Sequence, residues 1–216
     1  TEEQRRFQAT KMAVHAAMVD RMDQEIGRIV AQLKAMGAYE NTLILFASDN
    51  GASAEGGPSG TPNEAAGWLG LQPDATAAMD RIEDLGGPGA SNHYPWGWAW
   101  AGNTPFRRWK RETYRGGVSD PFVVHWPAGI KAKGEVRTQY AHAIDMVPTI
   151  LDALGLSAPS KIKGYEQSPV EGFSLAHTFD SAQAPTRHET QYFEMMGHRS
   201  IYHDGWKAVV YHPPMM

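Results

Sequence analysis

A helical pattern, a short connection and an apolar run follow one another over residues 11–47, and this succession limits the fold more than any other part of the chain. Met12, His15, Met18, Val19, Met22, Ile26, Ile29, Val30, Leu33 and Met36 recur at spacings of three and four, the period of one helix face. Gly37 is placed to stop that helix in the left-handed conformation. Thr42 to Ala47 is then almost continuously apolar, the pattern of a strand covered on both faces. Helix, tight connection and buried strand form the repeating unit of a parallel sheet, so the fold class reads as α/β with a mostly parallel sheet.

The apolar run ends on Ser48-Asp49-Asn50-Gly51. Ligands in open α/β sheets bind beyond the carboxyl ends of strands. Asp49 and Asn50 there offer the hard oxygen donors that calcium and magnesium take, and Gly51 lets the chain turn away. The same four residues also make an ordinary turn. Two side chains are fewer than such a metal needs, and no second acidic cluster stands out, so the reading is of half a metal site.

Residues 51–104 interrupt the pattern with Gly56-Gly57-Pro58, Gly86-Gly87-Pro88-Gly89 and His93-Tyr94-Pro95-Trp96-Gly97-Trp98. A loop of this size in a compact domain points to an active-site excursion with small elements of its own, among them a short helix from Ala75 to Leu85. Order resumes with a second buried strand at Phe122-Val123-Val124. A second helix follows from Asp145 to Leu154, with Pro148 tolerated in its first turn. Residues 156–185 read as a linker or irregular wrap. The tail reads as strands at Gln191–Met195, Ser200–Tyr202 and Lys207–Tyr211, with a hairpin turn at His203-Asp204-Gly205. This predicts a main unit over 1–155 and a small antiparallel β subdomain in 156–216.

Composition narrows the chemistry. A net charge of −4 gives no footprint for nucleic acid, and no apolar stretch has membrane-spanning length, so the expectation is a soluble chain. With no cysteine there is no disulfide, no thiolate zinc site and no cysteine nucleophile. The polar start, Thr1-Glu2-Glu3-Gln4, shows no signal peptide. An exported or periplasmic location stays open, as does oligomeric state.

Two further segments carry chemistry. Asn103 to Gly117 places five cations, Arg107, Arg108, Lys110, Arg111 and Arg115, within nine residues. A lysine at a strand-end site neutralises an oxyanion as a point charge, and Lys110 is the candidate for that role. His93 lies in the aromatic loop and not on a periodic buried face, and imidazole suits proton transfer near neutral pH. Trp96, Trp98 and Trp100 either pack that loop down or offer a stacking surface.

Taken in order, these segments resemble the C-terminal part of an arylsulfatase-type sulfatase of the alkaline-phosphatase-like superfamily. The resemblance rests on Ala17–Asp23, Asn41–Gly51, Asn103-Thr104-Pro105-Phe106-Arg107 through Lys110 to Gly116-Gly117, Val124–Gly129, His142–Leu151 and Gly205-Trp206-Lys207. It implies a portion of an alkaline-phosphatase-like sandwich. It implies that Asp49 and Asn50 ligate a divalent metal, most often Ca2+ with Mg2+ as the alternative, and that Lys110 contacts the sulfate. It also implies a formylglycine nucleophile made from a Cys or Ser in a Cys/Ser-x-Pro-x-Arg segment. No such segment is present, and Arg115 stands where the family has an acidic residue. The nucleophile is therefore expected upstream of residue 1, leaving this chain inactive by itself. The substrate implied is a sulfate-ester small molecule or a sulfated glycan. Two other readings stand beside it: a phosphate or phosphonate monoester hydrolase of the same superfamily, and a non-catalytic fragment that binds a sulfated ligand.

Overall fold

The computed structural model describes residues 1–69, 71 and 79–212. Helix α1 (Glu2–Ala35) starts well before the periodic stripe does. Its start is fixed by a capping box. The Thr1 hydroxyl accepts from the Gln4 amide at 3.2 Å, and the Thr1 amino group donates to Gln4 Oε1 at 2.7 Å. Gly37 takes φ +68° and ends the helix as expected. Only Phe7 and Lys11 of α1 are buried. Met18, Val19, Met22, Ile29 and Met36 of the predicted stripe are exposed, so this face has no cover among the described residues.

Strand β1 (Ile44–Ala47) pairs antiparallel with β2 (Phe122–His125), Ala47 opposite Phe122 and Ile44 opposite His125. This corrects the expectation of a mostly parallel sheet: among the described residues every strand pairing is antiparallel. The reason is the path of the chain. The excursion over 48–121 returns to the end of β1 that it left, and Ser48 N donates to the Pro121 carbonyl at 3.1 Å. A strand that begins where its neighbour ends must run back along it. Phe46 and Val123 are exposed, so neither strand is covered on both faces here.

The excursion holds α2 (Glu64–Trp68), a 3₁₀ turn at Ile82–Asp84, α3 (Trp96–Asn103) and α4 (Arg115–Val118). The helix expected from Ala75 to Leu85 falls partly outside the described residues. Thr61 and His93 bridge the two arms of the excursion through backbone bonds of 2.9 and 2.8 Å.

Helix α5 (Met146–Ala153) follows a 3₁₀ turn at Ala143–Asp145, with Pro148 in its first turn as expected. A two-residue ladder, β3 (Lys161–Ile162) with β4 (Tyr165–Glu166), lies exposed in the irregular segment. Strands β5 (Thr190–Met195), β6 (His198–His203) and β7 (Trp206–Val210) form the antiparallel sheet that the tail predicted. Both of its turns have two positive φ values, Met196-Gly197 at +53° and +86° and Asp204-Gly205 at +43° and +83°. This geometry matches the twist of the strands they join.

Polar bonds do much of the joining, because few large apolar side chains are buried. Asp145 is fully buried and accepts from His142 N, Phe173 N and His188 Nδ1, at 2.8, 2.8 and 2.9 Å. Thr149 donates to the Asp145 carbonyl at 2.6 Å and accepts from Leu175 N at 2.9 Å. One carboxylate thus ties α5, the irregular segment and the approach to β5 together.

Candidate functional site

The segment Ser48–Glu55, which leaves the end of β1, carries one cluster at each end. At its start, Asp49 is exposed and Asn50 half-buried. Asn50 Nδ2 donates to the Gly51 carbonyl at 3.0 Å, which leaves Oδ1 available as a ligand. Asp120, two residues before β2, joins them. Burial and then the neighbouring Asp49 carboxylate push its carboxyl up to about 6. Asn50 and Asp120 line one open pocket of about 390 Å³ with Met12 and His15 of α1, Tyr94 and Trp98. Two like-charged carboxylates and a free amide oxygen form a hard-oxygen donor set whose repulsion a divalent cation would relieve.

At the other end of the segment, Lys110 Nζ donates to Glu55 Oε2 at 3.0 Å, and the Ser53 hydroxyl meets the same oxygen at 2.8 Å. Burial opposes the charge on Glu55. The bonds from Ser53 and Lys110 and the charges of Lys110 and Arg111 outweigh it and hold the carboxyl below its ordinary range. His93 Nδ1 donates to the Tyr94 carbonyl and its Nε2 meets Ser53 Oγ, both at 2.9 Å. The single Ser53 proton therefore has two acceptors when the imidazole is neutral, Glu55 and His93 Nε2. Glu64 approaches too: one ligand atom each from Glu55, Glu64 and His93 fall within 4.8 Å of one another. Lys110 already neutralises Glu55 there and both His93 nitrogens are engaged, which leaves that cluster little free donor capacity for a cation.

The structure brings Lys110 and His93 together through Ser53 and Glu55, and Asp49 and Asn50 together with Asp120. Backbone clamps hold the two groups on one frame. Lys110 N donates to the Ala52 carbonyl at 3.1 Å, Ala52 N donates to Asn103 Oδ1 at 2.9 Å, and Asn103 Nδ2 donates to the Arg108 carbonyl at 2.9 Å. Glycine makes this approach possible. A Cβ on Gly51 would lie 1.7 Å from the Gly116 carbonyl oxygen, and one on Gly116 would lie 2.1 Å from the Arg108 carbonyl oxygen. Gly51 is thus required by close backbone contact, not by a left-handed turn.

Asp120, Ser53 and Glu55 escaped the sequence reading. Asp120 was legible only as the residue before Pro121, and nothing in a linear pattern says that β2 starts beside Asp49.

The family model for sulfatases matches residues 1–156. This chain belongs to the sulfatase family. A model described as N-sulphoglucosamine sulphohydrolase, C-terminal, matches residues 107–214. An uncharacterized sulfatase of Schizosaccharomyces pombe is 30% identical over 212 residues, 97% of this chain and 37% of that protein. An arylsulfatase of Klebsiella aerogenes is 29% identical over 200 residues, covering 91% of this chain and 40% of the relative. An N-acetylgalactosamine-6-sulfatase of Mus musculus is 29% identical over 142 residues, 66% of this chain and 20% of its own length. The chain thus spans about two-fifths of the length of the first two relatives. No helix among the described residues is long and apolar enough to cross a membrane.

Proposed function

We propose that this chain is the C-terminal part of a metal-dependent sulfatase that hydrolyses sulfate esters, and that it supplies half of the metal site and the sulfate-facing lysine. The observation that carries this reading is the placement of Asp49 and Asn50 at the end of β1, on the segment that also positions Lys110, with Asp120 brought beside them from the approach to β2. Asp49 and Asn50 would hold a divalent cation, Ca2+ by preference since all the donors are oxygens and are only partly enclosed. Bound there, the cation supplies Lewis-acid polarisation of sulfate oxygens.

The chain's own residues supply the rest of this half. Lys110, held by Glu55 and by its backbone bond to Ala52, offers a fixed positive charge to a sulfate oxygen. His93 would act as the proton donor to the departing alcohol from Nε2, the nitrogen that meets Ser53, and only in its doubly protonated form, since Nδ1–H is held by the Tyr94 carbonyl. No cysteine and no Ser-x-Pro-x-Arg segment lies in the sequence, so the formylglycine would come from residues outside it. The uncovered apolar face of α1 and the exposed sides of β1 and β2 fit a larger alkaline-phosphatase-like sandwich. In that assembly residues 1–155 belong to the main unit and 156–216 to a small β subdomain.

The test compares the longer protein with the 216-residue chain on p-nitrophenyl sulfate and p-nitrophenyl phosphate. The reading predicts turnover of the sulfate by the longer protein, none by the chain alone, and a loss of about 10²–10³ in the longer protein with Lys110→Ala, the scale of one oxyanion contact. Preference for the phosphate would move the assignment to a phosphomonoester hydrolase. Robust turnover by the chain alone would remove the need for an outside nucleophile.

A further inference from the structure

The loop that presents Lys110 is held in a conformation its own residues disfavour. Arg108 and Arg111, on either side of Trp109 and Lys110, take φ of +67° and +77°, left-handed values that crowd the Cβ of any residue but glycine. Such a backbone persists only where its surroundings fix it. Part of the fixing is local: Glu112 N donates to the Trp109 carbonyl at 3.2 Å, and Gly116 N to the Arg107 carbonyl at 2.8 Å.

The rest comes from the C-terminal sheet. Ser200 of β6, 4% exposed, donates from Oγ to the carbonyl of Thr113, 2% exposed, at 3.2 Å. Met196, at the turn between β5 and β6, accepts at its sulfur from Arg111 Nη2 at 2.8 Å. The Arg108 guanidinium lies 4.9 Å from the ring of Tyr211, just beyond β7. Glu112 is buried, 3.4 Å from Arg108, and feels the charge of His198 on β6. Residues on both sides of Lys110 thus meet the sheet, while Lys110 itself reaches Glu55.

One of these contacts continues into the site. Arg111 is among the charges that hold the Glu55 carboxyl below its ordinary range, together with Lys110. The Met196 thioether is a weak, uncharged acceptor. It orients the Arg111 guanidinium without neutralising it, where a carboxylate would cancel the charge that acts on Glu55. From these contacts we infer that Met196 and Ser200 are positioning residues for the sulfate site: the β5–β6 hairpin braces the loop 108–113 and, through Arg111, fixes the Lys110–Glu55 pair. The inference rests on the role proposed for Lys110 and adds what holds that residue in place.

The experiment follows Glu55 in the 216-residue chain by carboxyl 13C NMR titration in EDTA, so neither metal nor turnover enters the readout. Lys110→Met sets the scale and should raise the Glu55 midpoint. Met196→Leu keeps an apolar side chain at a position that is 64% exposed but removes the acceptor, and should give a smaller rise. Met196→Gln supplies an oxygen acceptor and should bring the midpoint back towards the wild type. Ser200→Ala should raise the midpoint and speed amide exchange at Lys110. Ile201→Ala, on the opposite face of β6, should leave Glu55 unchanged. In the longer protein, Met196→Leu and Ser200→Ala should lower kcat/KM for p-nitrophenyl sulfate by less than the ~10² expected for removing Lys110. An unmoved Glu55 in folded Met196→Leu and Ser200→Ala, while Lys110→Met shifts it, would overturn the inference. So would an equal shift in Ile201→Ala, which would reduce the brace to general stability. Shifts as expected at Glu55, with sulfate turnover indifferent to Lys110→Ala, would uphold the brace and overturn the role of Lys110 instead.

Discussion

Lys11 gives a prediction whose size follows from its surroundings. Its side chain is 1% exposed, its Nζ donates to the Ser59 carbonyl at 3.0 Å, and the charge lies 4.0 Å from the Phe7 ring centroid. Burial lowers its pKa from 10.5 to about 8. The folded state therefore gives up the proton before the unfolded state does, and stability rises with pH between about 8 and 10.5. The slope is half of ~1.36 kcal/mol per pH unit at pH 8 and approaches the full value above it, so the rise from pH 8 to 9.5 is about 1.6 kcal/mol. For a chain of this length that is about 3–6 °C in Tm. Lys207 adds to it in the same direction: burial, and then the Arg115 charge, lower it to about 8, but it is only half-buried and contributes less. Lys11→Met keeps the stem and cannot titrate. Thermal unfolding of the wild type and Lys11→Met at pH 7.5–9.5 should show a clear upward trend in the first and a much flatter one in the second. An equal trend in both would mean that Lys11 is not a buried charge in solution.

The Asp145 knot and the glycine contact make two shorter predictions. His188→Ala removes the Nδ1 hydrogen bond to the fully buried Asp145 carboxylate and should cost about 1–3 kcal/mol in urea unfolding. Gly116→Ala places a methyl 2.1 Å from the Arg108 carbonyl oxygen. It should lower Tm and loosen the Lys110 loop, seen as faster amide exchange at Ala52 and Lys110.

How far the chain could be read from sequence depended on whether the signal was local. The last C-terminal hairpin was legible because Asp204-Gly205 and the alternation around it specify both turn and strand. Gly37 and Pro148 marked helix ends through backbone rules that need no partner. The start of α1 lay ten residues before the apolar stripe because Thr1 and Gln4 cap it, a signal weaker than periodicity. The antiparallel pairing of β1 with β2 was not legible, since it depends on where a 74-residue excursion, 48–121, returns. The same holds at the site. Asp49 and Asn50 could be read from the end of an apolar run, whereas Asp120 and Glu55 come into place only through that return. The tryptophans looked like a loop because alternation with Gly97 and Ala99 hides a helix; on α3 the two-residue offset of Trp98 turns it away from Trp96 and Trp100.

The central claim is that Asp49 holds a catalytic cation in the longer sulfatase of which this chain is a part. Metal content by inductively coupled plasma mass spectrometry, with sulfate release from p-nitrophenyl sulfate on the same samples, tests it for the wild type and Asp49→Ala. The account predicts about one divalent ion per wild-type molecule, and loss of both the ion and turnover in the variant. An Asp49→Ala protein that keeps its metal and its rate would contradict it.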